Sequence, residues 1–390
     1  MPKLLQINVT ANWGSTGKIA EQINDLATLH GWDCYIAYGR YKNPSKSKLI
    51  KVGGIFNPYI HYIKQLILDN EGLNSINQTK QLIKEIRKIN PDIIHIHNIH
   101  DHWINYKILF EYLNSTNIKV VWTFHDCWAF TGHCMHFENI NCMKWKTVCC
   151  SCPQRNVFRD SSYMNFNKKK LLFIQKNVTI VPVSNWMENY VKESFFKNKP
   201  IRVIHNGIDL NVFKPTNDKK ESETFFILAV SSVWNKEKGL YDIFKLREML
   251  SSEFKILIVG LSEKQIKKIP KGIDGIQRTQ NIQELISLYT KANVLINPTY
   301  ADTFPTVNLE ALACGTPIIT YKTGGSPESI NTKTGIVVEQ GDIIELSNAI
   351  KKIKESPLSS EECRLRAVEY FDKNKCFDKY IDLYNELLRN

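Results

Sequence analysis

Short runs of apolar residues alternate along the chain with longer stretches in which apolar residues recur every three or four positions. The runs lack the polar alternation of a half-exposed strand, which is typical of parallel strands buried on both faces. They fall at residues 3–9, 32–37, 91–97, 119–124, 178–183, 201–204, 225–230, 255–260, 294–297 and 317–320. Helical spacing is found between them and after the last of them, at 19–29, 58–68, 283–292, 343–354, 360–371 and 376–388. This order of strand, helix and strand predicts an α/β protein with parallel sheets.

The length of the chain predicts two domains. It has 390 residues, 43% of them hydrophobic, which exceeds what one ordinary core contains. The boundary is placed after residue 208, and a polar segment at 217–224 precedes the second series of strands. No apolar run approaches the ~20 residues of a membrane span, and the N-terminus runs into a strand without a signal-peptide pattern. We therefore expect a cytoplasmic protein, whose ten cysteines indicate metal binding, burial or reactivity rather than disulfides.

The positive charge is concentrated in the first half of the chain. Residues 1–208 carry 26 Lys and Arg against 14 Asp and Glu, whereas the remainder carries 25 of each, so the net charge of +12 lies entirely in the first half. This asymmetry predicts an acidic partner, either an anionic membrane lipid or a lipid-diphosphate acceptor. Nucleic acid is a remote alternative, because the basic residues are dispersed and no nucleic-acid-binding motif accompanies them.

Residues 301–320 predict a loop, a helix, a tight turn and a buried strand. Pro305 suits the first turn of the helix and Gly315 its end. A helix that begins at the carboxyl end of a strand favours an anionic group, phosphate above all, because its first N–H groups are free. Asp302 precedes this helix and Glu310 lies on it. Since carboxylates accept hydrogen bonds from sugar hydroxyls, the segment predicts a site for a sugar nucleotide.

Two blocks of sequence resemble one enzyme family. Asp302 and Glu310, followed by Ala311-Leu-Ala-Cys-Gly-Thr-Pro317, resemble the acidic E-x7-E motif of the retaining nucleotide-sugar glycosyltransferases of sequence family 4, the glycosyl transferases group 1. Residues 203–215, Val-Ile-His-Asn-Gly-Ile-Asp-Leu-Asn-Val-Phe-Lys-Pro, are similar to its interdomain signature, N-G-[VI]-D followed by F-x-P. The blocks stand in the family's order, and the resemblance runs over essentially the whole chain, including a Cys-rich insertion found in some polysaccharide-biosynthesis members.

The resemblance implies the fold and the domain roles. The fold is GT-B, in which two doubly wound Rossmann-like domains face each other across a cleft. Residues 1–208 would bind the acceptor and include the Cys-rich insertion at 127–153. Residues 209–371 would bind the nucleotide sugar, and a helix in 372–390 would cross back to the first domain.

The resemblance also implies the reaction, that of a hexosyltransferase of class EC 2.4. A sugar would move from a nucleoside diphosphate to an acceptor hydroxyl with retention, and no cofactor would take part in catalysis. The basic first half then predicts a lipid-linked or oligosaccharide acceptor in surface-polysaccharide synthesis, and peripheral attachment to the inner face of the plasma membrane. The rival activity is that of a nucleotide-sugar epimerase or hydrolase on the same fold.

The resemblance assigns the donor side. Asp302, which replaces the usual Glu, would hold the donor sugar, and Glu310 the ribose. Lys238 matches the family lysine and would stabilise the leaving diphosphate together with the backbone amides of residues 304–307. Ser232 stands where the family has an arginine, and Lys236 is expected to compensate for this missing cation. The loop 277–281 would contact the nucleotide base. The donor-binding residues of this half are therefore predicted to be Ser232, Lys236, Arg278, Asn281, Phe304, Pro305, Thr306 and Val307.

Two glycines after the first strand are also predicted to bind the donor. The segment Gly14-Ser-Thr-Gly-Lys18 lacks the spacing of a Walker loop. Gly14 and Gly17 are instead expected to form a tight turn that lets a ligand approach the backbone, with a plain turn as the alternative. The resemblance implies that this loop lies against the donor diphosphate and the acceptor.

The histidines of the first half are predicted to have different roles. His125 follows the strand at 119–124, and the block Thr-Phe-His resembles the family's active-site histidine, so His125 joins Asp302, Glu310 and Lys238 as a catalytic candidate. Asp126 and His100 are predicted to contact the acceptor. His95 and His97 fall on one face of a buried strand and are predicted to belong to the core rather than to a metal site.

A cysteine-rich insertion follows His125. Cys149 and Cys152 form half of a zinc knuckle, and Cys134 and Cys142 would complete four thiolates around a structural zinc. His133 and His136 are substitute ligands, and free or partly buried thiols are the alternative. A loop of some 30 residues with few apolar side chains would need such a cross-link.

The apolar helix predicted at 58–68 has two interpretations. Packing against the core is favoured, because most such helices pack. Contact with a membrane surface is the alternative.

Overall fold

The computed structural model of the chain describes residues 1–54, 56–154, 158–217 and 224–389. The chain forms two compact units. The first consists of Met1–His205 together with the chain from Cys376 onwards, and the second of Asn206–Lys375. Residues 218–223 of the polar segment predicted at 217–224 lie outside the described residues.

The first unit contains a six-stranded parallel sheet in the order β3-β2-β1-β4-β5-β6. Its strands are β1 (Lys3–Asn8), β2 (Asp33–Tyr38), β3 (Lys48–Lys51), β4 (Ile93–Ile96), β5 (Lys119–Phe124) and β6 (Val178–Pro182). Its helices are α1 (Gly14–Leu29), α2 (Asn57–Leu68), α3 (Ile76–Ile89), α4 (Tyr106–Asn114), α5 (Ser162–Phe173) and α6 (Asn185–Glu193). The order of strands reverses between β1 and β4, and ligands of open α/β sheets bind at the carboxyl ends of strands at such a point.

The strand predicted at 201–204 is wrong as a regular strand, because this segment forms only a bridge between Ile201 and Ile180. Arg202 N–H donates to Ile180 O, and Ile204 N–H donates to Pro182 O. Pro182 has no N–H with which to continue the ladder, so the pairing stops there.

The last helix, α13 (Lys373–Arg389), completes the core of the first unit. Tyr380 and Tyr384 are buried and extend polar tips towards the sheet. The Tyr384 hydroxyl lies 2.6 Å from His95 Nδ1, and the Tyr380 hydroxyl lies 2.9 Å from Thr123 Oγ1. These contacts join α13 to β4 and β5.

The prediction that the helix at 58–68 packs into the core is wrong. In α2 only His61 is buried, and it is held by Ser75 Oγ and Gly72 N–H. Most of the large apolar side chains of α2 are exposed, because the helix lies outside the layers that cover the sheet. Among the described residues, no helix combines the length and apolar character that a bilayer crossing requires.

The second unit contains another six-stranded parallel sheet, in the order β12-β11-β10-β7-β8-β9. Its strands are β7 (Phe225–Val230), β8 (Phe254–Val259), β9 (Ile273–Ile276), β10 (Val294–Asn297), β11 (Ile318–Tyr321) and β12 (Gly335–Val338). Its helices are α7 (Leu240–Glu248), α8 (Glu263–Ile266), α9 (Ile282–Lys291), α10 (Thr306–Ala313), α11 (Ile343–Glu355) and α12 (Ser360–Tyr370). The prediction of two α/β units with parallel sheets is confirmed, because the strand pairings in both sheets are parallel. The central strands of both units are almost entirely buried, as is typical of such sheets.

Candidate functional site

The loops after β7 and β10 meet at the carboxyl edge of the second sheet. Tyr300 N–H donates to Glu237 O over 2.7 Å. Gly239 has φ of 74°, and a Cβ there would lie 2.0 Å from Pro298 O, so a side chain at this position would push the loops apart. The adjacent lysine, Lys238, is therefore held beside the residues that follow β10.

Lys238 and Asp302 form a partly exposed ion pair at this junction. Lys238 Nζ lies 2.7 Å from Asp302 Oδ2 and 3.2 Å from Ala301 O, and 31% of the lysine and 21% of the aspartate side chain remain accessible. Asn235 Oδ1 accepts from Lys238 N–H and orders the turn that carries the lysine. A fixed cation and carboxylate that both reach solvent can bind a phosphate and a sugar hydroxyl.

The N-terminus of α10 lies directly after Asp302. Asp302 Oδ1 accepts from Phe304 N–H over 3.2 Å, and Pro305 caps the helix in an extended conformation. Pro305 has no N–H and Phe304 N–H is already bonded, so the expectation that all the amides of 304–307 serve a diphosphate needs correction. Thr306 and Val307 supply the free N–H groups expected at a helix start.

Glu310 is held by a residue that sequence reasoning missed. Its Oε2 accepts from the Tyr289 hydroxyl over 2.8 Å, and burial together with Glu310 raises the pKa of Tyr289 well above its usual value. Tyr289 therefore stays a neutral donor that orients the carboxylate. Tyr289 falls in the helix predicted at 283–292, but only the fold brings α9 and α10 together.

The remaining donor candidates of the second unit are spread along the same edge. Ser232 and Lys236 are exposed on the loop after β7. Arg278 is exposed after β9, two strands away from β7 in the sheet, and Asn281 caps α9 by accepting from Glu284 N–H. The structure thus brings Lys238, Asp302 and the start of α10 together, whereas these four residues lie elsewhere along the same edge of the sheet.

Gly14 and Gly17 lie in the turn from β1 into α1. Gly14 begins the helix with φ of 65°, a conformation that favours glycine. A Cβ at Gly17 would lie 2.6 Å from Thr10 Oγ1, so close packing of the turn also requires glycine there. The turn therefore has a structural explanation, and its contact with a donor stays a prediction.

His125 ends a chain of buried imidazoles at the carboxyl edge of the first sheet. Its Nε2 lies 3.0 Å from His97 Nδ1, and His97 Nε2 lies 2.6 Å from Gln6 Oε1. Gln6 Nε2 donates to Ala20 O and Asn24 Oδ1, which turns Oε1 towards His97. His97 then donates from Nε2 and accepts at Nδ1, so the hydrogen-bond network assigns the proton of His125 to Nε2.

Burial keeps this chain neutral. It lowers the pKa of His125 to about 4, and it lowers the pKa of His95 and His97 well below their usual values. The prediction that His95 and His97 belong to the core is confirmed, since both are fully buried. His97 and Gln6 were nevertheless missed as supports of His125, although a glutamine inside an apolar strand is an available signal.

His100 and Asp126 form a charged pair beside this chain. His100 Nε2 lies 2.7 Å from Asp126 Oδ2, and Asp126 Oδ1 accepts from Trp128 N–H over 2.8 Å. Burial would lower the pKa of His100, but Asp126 and Asp101 raise it well above its usual value. The structure therefore brings the two predicted acceptor residues together as an imidazolium and a carboxylate. Glu71, which accepts from Asp101 N–H and Trp128 Nε1–H, was missed.

The four cysteines predicted to bind metal border one small cavity in the insertion. Cys134 Sγ and Cys152 Sγ are 3.7 Å apart, and Cys142 and Cys149 complete the lining. His133, predicted as a substitute ligand, lies with Cys134 and Cys152 in a group whose ligand atoms are within 4.8 Å of one another.

Comparison with known proteins relates both halves of the chain to one class of enzyme. Residues 19–212 match the family described as Glycosyltransferase Family 4, and residues 213–370 match Glycosyl transferases group 1. WcaC of Escherichia coli K12, assigned to colanic acid biosynthesis as a glycosyl transferase, is 21% identical over 98% of this chain and 100% of its own length. The chain is a glycosyltransferase. CapM of Staphylococcus aureus, named as a capsular polysaccharide biosynthesis glycosyltransferase, is 26% identical over 47% of this chain and 54% of its own.

Solved structures confirm the fold of this glycosyltransferase. Sucrose-phosphate synthase from Thermosynechococcus elongatus matches with a TM-score of 0.78 at 18% identity over 100% of both chains. WaaG, described as a glycosyltransferase involved in lipopolysaccharide biosynthesis, matches with a TM-score of 0.70 at 13% identity over 98% of this chain and 99% of that chain. The two parallel six-stranded sheets are those of the GT-B fold.

We expect Asp302→Asn and Glu310→Gln each to lower sugar transfer by about 10- to 100-fold, the effect of losing one hydrogen bond to a charged group. The folded state should persist, since neither carboxylate lies in the apolar core. Initial rates and thermal unfolding of the purified variants test this, with Glu361→Gln, at the exposed start of α12, as the control. Wild-type turnover in both variants would contradict the assignment.

We expect Lys238→Ala to raise the dissociation constant for a nucleoside diphosphate by about 10- to 100-fold, because one charged contact to phosphate is lost. Isothermal titration calorimetry with UDP and GDP measures this. Lys245→Ala, an exposed lysine on the nearby α7, is the matched control. Unchanged affinity in Lys238→Ala would show that this lysine does not contact the diphosphate.

Proposed function

We propose that this glycosyltransferase moves a hexose from a nucleoside diphosphate to an acceptor hydroxyl with retention, during assembly of a surface polysaccharide. The observation that carries the proposal is the Lys238–Asp302 pair at the start of α10, where a cation, a carboxylate and helix N–H groups converge. A diphosphate and a sugar have complementary groups for all three. The assignments of WcaC and CapM to polysaccharide biosynthesis support the biological setting.

Each unit has its own part in this proposal. In the second unit, residues 209–371 are proposed to form the donor domain. Lys238 and the α10 amides would bind the diphosphate, Asp302 the sugar and Glu310 the ribose. The first unit, proposed as the acceptor domain over 1–208 and completed by the helix in 372–390, presents His125, His100 and Asp126. At neutral pH His125 is neutral, so it acts through hydrogen bonds, while the His100–Asp126 pair supplies local charge.

The proposed transfer step needs no covalent enzyme intermediate. The acceptor oxygen bonds to the anomeric carbon on the face from which the diphosphate departs, and the carbon–oxygen bond to the diphosphate breaks. The acceptor proton passes to an oxygen of the departing phosphate. Lys238 and the helix N–H groups stabilise the negative charge that develops there, so no cofactor is proposed for catalysis. A metal ion bound in the cysteine-rich insertion is proposed to be structural instead.

We expect release of nucleoside diphosphate to depend on the acceptor, and the new glycosidic bond to keep the anomeric configuration of the donor. A thermal-shift screen of UDP- and GDP-sugars selects the donor, and proton NMR of the product reports the configuration. Acceptor-independent release of free sugar would identify a hydrolase, an epimerised sugar nucleotide would identify an epimerase, and an inverted linkage would exclude retention. The Asp302→Asn variant is the control for adventitious hydrolysis.

The acceptor is proposed to be lipid-linked and to be reached at the cytoplasmic face of an anionic membrane. Residues 1–208 carry a net charge of +12, a field that a neutral soluble sugar would not require. Helix α2 of the first unit exposes six apolar side chains, with Tyr59 63%, Ile60 53%, Tyr62 48%, Ile63 57%, Ile67 55% and Leu68 44% accessible. An exposed apolar helix on a basic domain fits the headgroup region of a bilayer.

A groove beside α2 supports the same interpretation. It has a volume of about 540 Å³ and is lined by Arg40, Lys51, Tyr59 and Tyr62 among others. Two cations and two aromatic rings next to an exposed apolar helix suit a diphosphate headgroup whose lipid chain stays in the membrane. Each cation near an anionic surface contributes ~1 kcal/mol of attraction.

We expect the protein to co-sediment with anionic vesicles at low salt, and to be released as salt shortens the reach of the field. Ile63→Ser should weaken binding because it removes an apolar contact, whereas Leu365→Ser, with a similarly exposed residue on α12, should not. Equal binding to neutral and anionic vesicles, or none to the anionic ones, would refute attachment and leave the transferase proposal standing.

A further inference from the structure

The insertion between β5 and α5 has little regular structure. Between Phe124 and Ser162, the described residues form only three short 3₁₀ turns, Trp128–Phe130, Glu138–Ile140 and Lys144–Lys146. The expectation of few apolar side chains was wrong, because Trp128, Phe130, Phe137 and Trp145 are buried. The aromatic cluster covers one side of the insertion, and the cysteine cavity lies beside it.

Two of the thiols around this cavity have the spacing of metal ligands. Cys134 Sγ and Cys152 Sγ are 3.7 Å apart and not bonded to each other. Two thiolates on one tetrahedral zinc, each at about 2.3 Å, are about 3.8 Å apart. Cys142 and Cys149 line the same cavity.

Hydrogen-bond donors lie next to the thiols, where four thiolates and one Zn²⁺ would leave a net negative charge. Gly132 N–H donates to Cys149 Sγ over 3.2 Å. Lys169, almost fully buried on α5, donates to Trp128 O and Thr131 O. Within the described part of the chain, no carboxylate lies at ion-pair distance from Lys169, and burial lowers the pKa of its amine to about 7.

His133 adds an oriented imidazole. Its Nδ1 lies 3.3 Å from Oδ2 of the buried Asp69, which also accepts from Ser161 N–H. Its Nε2 is buried and has no hydrogen-bond partner among the described residues. The His133 side chain belongs to the same close group as the Cys134 and Cys152 thiols. An imidazole held by a carboxylate and directed at sulfur is typical of the surroundings of a bound metal.

We infer that Cys134, Cys142, Cys149 and Cys152 bind one structural Zn²⁺ as a tetrathiolate, with His133 Nε2–H donating to the Cys152 thiolate. All four ligands are cysteines, which leaves no open position for a water, so the ion supports the loop and takes no part in transfer. The cysteines come from three segments of the insertion, at residues 134, 142 and 149–152, and a single ion therefore cross-links them.

The zinc site is connected to the acceptor residues of the proposed function, and this second part of the inference rests on that function. Thr131 Oγ1 donates to Cys134 O over 2.6 Å, and Thr131 O accepts from Lys169. The same short segment carries Trp128, whose N–H holds Asp126 in its pair with His100. The zinc therefore acts as a positioning site for Asp126.

The test begins with metal analysis of full-length protein purified under reducing conditions without added metal. We expect about one zinc per chain in the wild type, and strong loss of zinc in Cys142→Ser and Cys149→Ser. Cys150→Ser is the matched control, since this exposed cysteine adjoins Cys149 and should keep its zinc. A wild-type protein without zinc, whose four thiols are all alkylated in the native state, would overturn the inference.

The ligand set has a separate test. X-ray absorption of the zinc protein should show a shell of sulfur only, and His133→Gln should keep the zinc. A mixed nitrogen and sulfur shell that disappears in His133→Gln would overturn the tetrathiolate assignment. Both measurements are independent of transfer, so an inactive protein that holds zinc on four sulfurs would disprove the proposed function and leave the metal site standing.

The positioning role predicts that loss of zinc affects binding of the acceptor but not binding of the nucleoside diphosphate. Cys149→Ser should raise the KM for the acceptor while the affinity for nucleoside diphosphate stays at the wild-type value, because only the first unit is disturbed. An unchanged acceptor KM in a zinc-free, folded variant would overturn this part of the inference.

Discussion

The candidate site of the second unit depends on the close approach of the loops after β7 and β10. The absence of a side chain at Gly239 lets the backbone reach Pro298 O, and the Tyr300–Glu237 hydrogen bond holds the loops together. Only in this arrangement does Lys238 lie 2.7 Å from Asp302. A partly exposed ion pair contributes little to stability, so its fixed geometry serves binding more than folding.

In the first unit, burial and neighbouring carboxylates determine which histidines are charged. Burial favours the neutral imidazole in His95, His97 and His125, whereas His100 lies close to two carboxylates and is charged. One edge of the sheet thus presents a neutral hydrogen-bonding ring next to an ion pair. The C-terminal helix contributes to this edge, because Tyr384 and Tyr380 bind His95 and Thr123 beneath it.

The insertion and helix α2 meet at Asp69, just beyond the C-terminal end of the helix. Asp69 binds His133 on the cysteine side and Ser161 at the start of α5. The proposed metal site and the proposed membrane surface therefore share one buried carboxylate. A loop that is cross-linked by zinc would hold α2 in place while its apolar face stays exposed.

The sequence by itself determined the elements with a strong local signal. The local sequence predicts the buried strands, the helix after Pro305 and the cysteine spacing. Strand burial and helix starts depend on residues that are neighbours in the chain. Tertiary structure alone decided which polar groups meet. Tyr289 donates to Glu310 and Gln6 orients His97, and each contact joins residues that are distant in the chain. The exposure of α2 also depends on how the elements pack, which the local sequence pattern does not predict. Hydrogen-bond partners and charge states depend on distance and burial, and these exist only after the chain has folded.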